Sequence, residues 1–347
     1  MNQRVFDLAE LAVPVIQAPM AGVATPVLAA EVSRAGGLGS LGLGSSTAAQ
    51  AGAMMAETAA RLGSARYGVN LFCHHPARRD AACESDWIAY LAPGFAAHGG
   101  AVPTHLNQTY QSFLFDDAML AAVLAARPAV ISFHFGLPDA ARIAALRDTG
   151  ALLLATATSR AEAAAIAKAG LDGIVAQGWQ AGGHRGVFDT EGPDDRLSTA
   201  DLFAALLDQP LAVIPAGAIM DGAEAAIFLK AGAPAVQMGT AFLACPESQA
   251  SGLHREGLFL RETVMTRAIS GRPARALRNR LTDLGQAADA PGLPDYPLPY
   301  DLSRQLNALV GGTDYAAHWA GTGAARARAL PAAQLVAQLA QEIAAHR

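Results

Sequence analysis

Short β-branched runs alternate along this chain with alanine-rich segments that carry helix caps, and that rhythm restricts the fold more than any other feature. The runs are VPVIQA (13–18), LGSLG (38–42), RYGVNL (66–71), AVISFHF (129–135), ALLLAT (151–156), DGIVAQ (172–177), LAVIPA (211–216) and AVQMG (235–239). Strands that alternate with helices build β-α units and a parallel sheet. Eight such units predict an α/β fold, a (β/α)8 TIM barrel.

The helix ends can be argued residue by residue. Thr25 caps a helix that has Pro26 at its first position, and Gly36 closes it in a left-handed conformation. Ser159 with Glu162 reads as a capping box for a helix ending at Gly170, and Asp221 with Glu224 opens another that ends at Gly232. The stretch GLGSLG (37–42) matches a GxGxxG pattern, but a helix precedes it and a strand overlaps it. A dinucleotide fingerprint needs the reverse order, so these glycines read as tight helix-to-strand turns.

With 347 residues the chain exceeds a minimal barrel. Residues 1–244 are expected to form the barrel, with an insertion at about 72–115 after the third strand that lies over the barrel mouth. Residues 245–347 are expected to form a helical and loop extension packed on the barrel.

Charge and cysteine content exclude several classes of function. A net charge of -5 gives no global field for nucleic acid or for an anionic membrane surface. Cys73, Cys83 and Cys245 form no CxxC pair, and the CHH at 73–75 has no second ligand pair, so neither a disulfide framework nor a metal site is expected. Asp7 and Glu10 precede the first apolar run and Pro14 and Pro19 interrupt it, which does not suit a signal peptide. No uncharged apolar stretch reaches the ~18 residues of a membrane-spanning helix. A cytoplasmic protein is expected.

In such a barrel, ligands sit at the C-terminal ends of the strands, with phosphate often held after strands seven and eight. Strand seven ends at Gly217 and Ala218, and strand eight at Gly239 and Thr240. Backbone N–H groups of two neighbouring turns, helped by a hydroxyl, cradle a phosphate without a lysine. Strand six leads through Gln177 to Gly182, Gly183 and His184 on the same rim. Strand three ends at Asn70, and strand one at Gln17, Pro19 and Met20. Amide side chains both donate and accept, which suits a heterocycle edge. Phosphate with an amide-reading ring pocket describes flavin mononucleotide (FMN) better than a sugar phosphate.

The segments QAPMAGVATPVLAAEVSRAGGLGSLG, GVNLF, SFHFG, QGWQAGGHRG, GAPAVQMGTAFL and ISGRPARALRNR, in this order, resemble the nitronate monooxygenase family, formerly 2-nitropropane dioxygenase, in its histidine-containing class. The resemblance spans nearly the whole chain. It implies an FMN-binding barrel that oxidises alkyl nitronates with dioxygen to a carbonyl compound and nitrite. It implies cofactor contacts at Asn70, Gln177, Gly182, Gly217, Gln237, Met238, Gly239 and Thr240, with Pro19 and Met20 beside the ring; Gly183 and Ala218 adjoin these positions. His184 stands where the family carries its catalytic base, and His134 matches a second histidine of the substrate pocket. Three positions depart from the pattern: Gln180 where glutamate is common, Ala218 where glycine is usual, and Thr322 where glutamine is usual. Tyr296 and Tyr300 read equally as pocket walls or as tail packing.

The implied partners are a small anionic nitronate and dioxygen, nitroalkanes being a further substrate class, with no nucleic acid or membrane partner and a monomer or homodimer as the assembly. Two other functions suit the same residues. One is a flavin-dependent NAD(P)H reductase, of the enoyl-acyl-carrier-protein or quinone type. The other is a non-catalytic flavin-binding protein, which would have no need of His184.

Overall fold

The alternation is realised as eight parallel strands that close on themselves. In the computed structural model, which describes residues 6–64 and 66–347, these are β1 (Val15–Gln17), β2 (Ser40–Gly42), β3 (Gly68–Phe72), β4 (Val130–His134), β5 (Leu152–Ala157), β6 (Gly173–Gln177), β8 (Ala212–Ala216) and β9 (Val236–Met238). A two-residue strand, β7 (Gly183–His184), falls between β6 and β8 in the chain and belongs to a second sheet. Hydrogen bonding runs β1-β9-β8-β6-β5-β4-β3-β2. The ring closes through the parallel bridge of Ile16 with Leu38, where the Gln17 N–H donates to Leu38 O at 2.9 Å and the Leu38 N–H to Val15 O at 3.0 Å. The chain is a TIM barrel, as its eight runs predict.

Side-chain alternation along the strands sorts the core into layers. Ile16, Leu38, Val130, Leu152, Leu154, Val175 and Ile214 fill the barrel. Their neighbours Ile131, Phe133, Leu153, Ala155, Ile174 and Ala176 face outward into the helical layer.

The barrel helices are α1 (Pro26–Arg34), α2 (Ala48–Leu62), α4 (Asp117–Ala126), α5 (Ala140–Arg147), α6 (Arg160–Lys168), α7 (Thr199–Leu206) and α8 (Gly222–Lys230), while α3 (Ala81–Ala97) lies in the insertion. Thr25 caps α1 through the Leu28 N–H, and Gly36 follows it at φ +98°. The boxes expected at α6 and α8 differ in one respect. Ser159 and Asp221 cap as expected, but Glu162 and Glu224 reach one residue further back, to the N–H groups of Thr158 (2.6 Å) and Met220 (2.8 Å). Glu162 also accepts from the Phe188 N–H at 2.8 Å, so the shifted contact ties the loop after β7 to α6.

The extension contains α9 (Gly252–Leu260), β10 (Thr263–Thr266), β11 (Ala274–Leu277), α10 (Arg280–Leu284), α11 (Leu298–Val310) and α12 (Ala332–Ala345). Insertion and extension share a hydrophobic cluster: Trp87, Leu91 and Phe95 of α3 meet Leu298, Leu302 and Leu306 of α11. The last helix turns back to the barrel, where Leu335, Val336, Leu339 and Ile343 pack with Leu28 and Val32 of α1. The second sheet runs β10-β11-β7, with Ala274 opposite His184 and Arg275 opposite Gly183. No helix among the described residues is long and apolar enough to cross a membrane.

Candidate active site

At the C-terminal ends of the strands lies a cavity of about 430 Å³, within the usual range for small-molecule and cofactor sites. Pro19, Met20, Asn70, His134, Gln177, Gly182, Gly183, His184, Gly217, Ala218, Gln237, Met238, Gly239 and Thr240 all line it. The sequence reading gathers these residues from six strand ends, and the barrel brings them to one rim.

The turns after β8 and β9 are suited to an anion. Among the described residues, the N–H groups of Gly217, Ala218 and Gly239 donate no hydrogen bond, and the Thr240 N–H opens a 3-10 turn without a side-chain cap. The Thr240 hydroxyl accepts from the Gly321 N–H at 2.9 Å, which leaves its own proton to donate. A Cβ on Gly239 would meet only Ala18 Cβ at 3.4 Å and Met20 Sδ at 3.9 Å. The protein tolerates an atom there, so a larger side chain would extend into the cavity. Ala218 sits at φ +55°, a left-handed conformation that glycine adopts more readily.

The three amides play unlike parts. Gln177 spans the loop that follows it: its Nε2 donates to His184 O at 2.9 Å and its Oε1 accepts from the Gly186 N–H at 2.8 Å. Asn70 Nδ2 donates to Ser132 Oγ at 2.9 Å. Gln237 makes no side-chain hydrogen bond among the described residues, which leaves its amide to a ligand. Gln17, read as a further ring-facing amide, is instead fully buried, and its Oε1 accepts from the Ser40 N–H at 2.9 Å across the barrel seam.

The close approach expected at the glycine pair occurs at Gly182, and the approaching group is the extension's own backbone. A Cβ on Gly182 would lie 2.4 Å from the Gly321 nitrogen. Two departures from the family pattern have structural explanations here. Gln180 Oε1 accepts from the Thr199 N–H at 3.0 Å at the start of α7, a task a carboxylate oxygen performs equally well. Thr322 donates its N–H to Gln180 O at 3.1 Å, a contact that does not depend on its side chain.

His184 is held on every side. Its backbone pairs with β11, its carbonyl accepts from Gln177 and from His134 Nε2 (3.2 Å), and its Nε2 lies 2.8 Å from Ser270 Oγ. Rings of Trp319 (4.8 Å), Tyr296 (5.5 Å) and Phe135 (5.6 Å) surround the imidazole. Burial, and then the nearby His134, Arg272 and His74, lower its pKa to about 3, so it is neutral at pH 7. His134 is lowered to about 4, chiefly by burial. Since a carbonyl only accepts, His134 carries its proton on Nε2, and its Nδ1 faces the Thr156 hydroxyl at 3.0 Å.

Tyr296 and Tyr300 both line the cavity, and Tyr300 also packs against the cluster of the insertion and extension, so both readings hold for it. Tyr110 from the insertion lies tilted beside them, its ring 5.4 Å from that of Tyr300 and 6.5 Å from that of Tyr296. Sequence reasoning missed Tyr110, His254, Ser270, Arg304 and Trp319. The one available signal was the clustering of aromatic residues in the two segments that exceed a minimal barrel.

Five histidines share the neutral state: His74, His254 and His318 are buried, and His134 and His184 are half-buried at the cavity wall. Burial lowers His74, His134 and His254 to about 4, and His184 and His318 to about 3. Their unfolded-state value is near 6.5, so as pH falls below 6.5 the unfolded chain takes up protons first and stability drops until the folded values are reached. At pH 5 each group costs up to about 2 kcal/mol. The urea midpoint is therefore expected to fall markedly between pH 7 and pH 5. A midpoint constant over that interval would contradict the neutral assignment.

A (β/α)8 barrel with an anion-ready pair of turns and a neutral imidazole among aromatic rings defines an enzyme that works on a small ligand at the barrel mouth. The chain matches the nitronate monooxygenase family profile over residues 2–342. It is 51% identical to the nitronate monooxygenase of Paraburkholderia phytofirmans over 95% of this chain and 92% of that one. To the nitronate monooxygenase of Pseudomonas aeruginosa it is 45% identical over 99% of both. A solved nitroalkane oxidase from Streptomyces ansochromogenes superposes with a TM-score of 0.87 at 38% identity, covering 98% of both chains. The chain belongs to the nitronate monooxygenase family, and it is a flavin-dependent oxidoreductase of alkyl nitronates.

Proposed function

We propose that the flavin is FMN, seated with its phosphate at the Gly217–Ala218 and Gly239–Thr240 turns, and that the nitronate binds between its ring and His184. The observation that carries this reading is the pairing, in one cavity, of uncommitted backbone donors with a neutral histidine enclosed by aromatic rings. The donors suit a phosphate dianion, and the Gln237 amide is free to meet the edge of a heterocycle. FMN held there would supply the redox chemistry that links nitronate oxidation to dioxygen. The protein's part is to bind, orient and exclude water.

Tyr296, Trp319 and Phe135 keep water from the imidazole, and Ser270 fixes its orientation. The neutral ring stabilises a nitronate by donating a hydrogen bond from a protonated ring nitrogen, or takes the α-proton of a nitroalkane at an unprotonated one. A pKa of about 3 makes it a weak base, and an anion bound beside it would raise that value. This ordering favours preformed nitronates over neutral nitroalkanes. The insertion, through Tyr110, and the part of the extension that carries Tyr296, Tyr300 and Trp319 together cover the barrel mouth. Three free cysteines, two of them buried, fit a reducing cytoplasm.

Protein purified in air is expected to be yellow, to release FMN and not FAD on heating, and to form nitrite from an alkyl nitronate with consumption of oxygen. Colourless protein that fails to take up added FMN would overturn the cofactor assignment. Absence of nitrite from the flavin-loaded protein would overturn the reaction.

A further inference from the structure

Arg272 is a buried cation without a counter-ion. It is 5% exposed, and among the described residues no carboxylate comes within ion-pairing distance of it. The acids that act on it from further away are committed elsewhere: Glu162 to Thr158 and Phe188, and Asp295 to Arg78. Its guanidinium donates to Val187 O, its Nε has no partner, and its carbon centre lies 4.2 Å from the Phe135 ring centroid and 5.9 Å from that of Tyr296.

An aromatic face attracts a cation but does not neutralise it. Burying a charge without a partner is costly, and folds avoid it unless something else uses the charge.

Phe135 carries a second cost at the same place. It sits at φ +74°, a region that bulky residues rarely enter. Strain of this kind collects at functional sites. The conformation puts its ring 4.5 Å from His134 and 5.6 Å from His184, with Arg272 against it. One aromatic layer therefore separates the guanidinium from both cavity histidines, and Tyr296, which Arg272 also faces, is itself a cavity wall.

We propose that Arg272 is the counter-charge for the anion in this cavity: from behind Phe135 and Tyr296 its field favours a negatively charged ligand beside His184 over a neutral one of the same shape. This deepens the nitronate reading and rests on it. Arg272 is a positioning residue, since it acts through space and does not line the cavity. A nitronate and its neutral nitroalkane differ by one proton and have nearly the same size, so contacts of shape separate them poorly. A fixed positive charge in a region of low dielectric separates them well. Burial first, and this charge after it, keep the two histidines neutral. Arg304, the cation at the cavity wall itself, is exposed to solvent, so Arg272 is the one placed where water does not screen it.

The test uses the flavin-loaded protein at pH 8 with inorganic nitrite as the anionic probe, read by calorimetry. Arg272→Gln is expected to weaken nitrite binding by about tenfold and Arg272→Lys by about threefold or less, the order expected for one buried charge, with thermal midpoint and flavin occupancy measured alongside. Unchanged nitrite affinity in Arg272→Gln, or an equal loss in both variants, would overturn the proposal, the second outcome assigning Arg272 a role of shape.

Should neither variant fold, the salt dependence of the unsubstituted protein decides. A buried charge predicts less than about a twofold change in nitrite affinity between 0.05 and 0.5 M salt, and a steep decline points to an exposed cation instead. Failure of the two readings is separable. Nitronate turnover with an affinity indifferent to Arg272 removes only the counter-charge, whereas charge-dependent nitrite binding without nitronate turnover removes the reaction.

Discussion

Replacing His184 by asparagine is expected to leave the flavin bound while turnover of neutral nitroalkanes falls by about 10²–10⁴-fold, the usual contribution of a general base. The cofactor is expected to stay because the imidazole's partners are Ser270, Trp319, Tyr296 and Phe135, and the phosphate donors lie on other turns. Activity on preformed nitronates is expected to fall less, since their proton has already gone. Steady-state rates on a nitroalkane and on its nitronate, in both proteins, measure the difference. An equal loss on the two substrates would assign His184 to anion positioning alone.

The second large effect is expected at Gly239. A Gly239→Val protein should fold, because a Cβ there makes only ordinary contacts with Ala18 and Met20. Its branched side chain would occupy the space proposed for the phosphate, and FMN affinity is expected to fall by two orders of magnitude or more, about 3 kcal/mol or above on the affinity scale. Flavin content after dialysis measures this. Full occupancy in the variant would place the phosphate elsewhere on the rim.

What was legible in the sequence follows from the range of the interactions concerned. All eight barrel strands could be read from their own residues, because a buried parallel strand is a short apolar run bounded by turns. The cavity residues could be read because they occupy strand ends, and a barrel gathers strand ends by construction. The β10-β11-β7 sheet could not. A two-residue strand has no period, and Gly183 and His184 find their partners about ninety residues away at Arg275 and Ala274. The aromatic enclosure of His184 was hidden for the same reason, since Phe135, Tyr296 and Trp319 come from three separate segments.

Residue type also misleads where one chemistry serves two purposes. An amide at a strand end reads a heterocycle or satisfies a backbone with equal ease. Gln17 does the second, while Gln177 secures the loop that carries His184. At Ala218 the departure from glycine preserved the N–H but not the easy left-handed geometry. Backbone angles of that kind cannot be seen in a lone alanine.

With flavin bound, this cavity is expected to support electron transfer from a nitronate to oxygen. Mixing the flavin-loaded protein anaerobically with an alkyl nitronate in one experiment and with NADH in another, while following the visible spectrum, tests it most directly. Spectral change of the flavin is expected with the nitronate, with reversal and release of nitrite on admitting air, and no comparable response is expected to NADH. Rapid bleaching by NADH with no response to any nitronate would contradict this expectation.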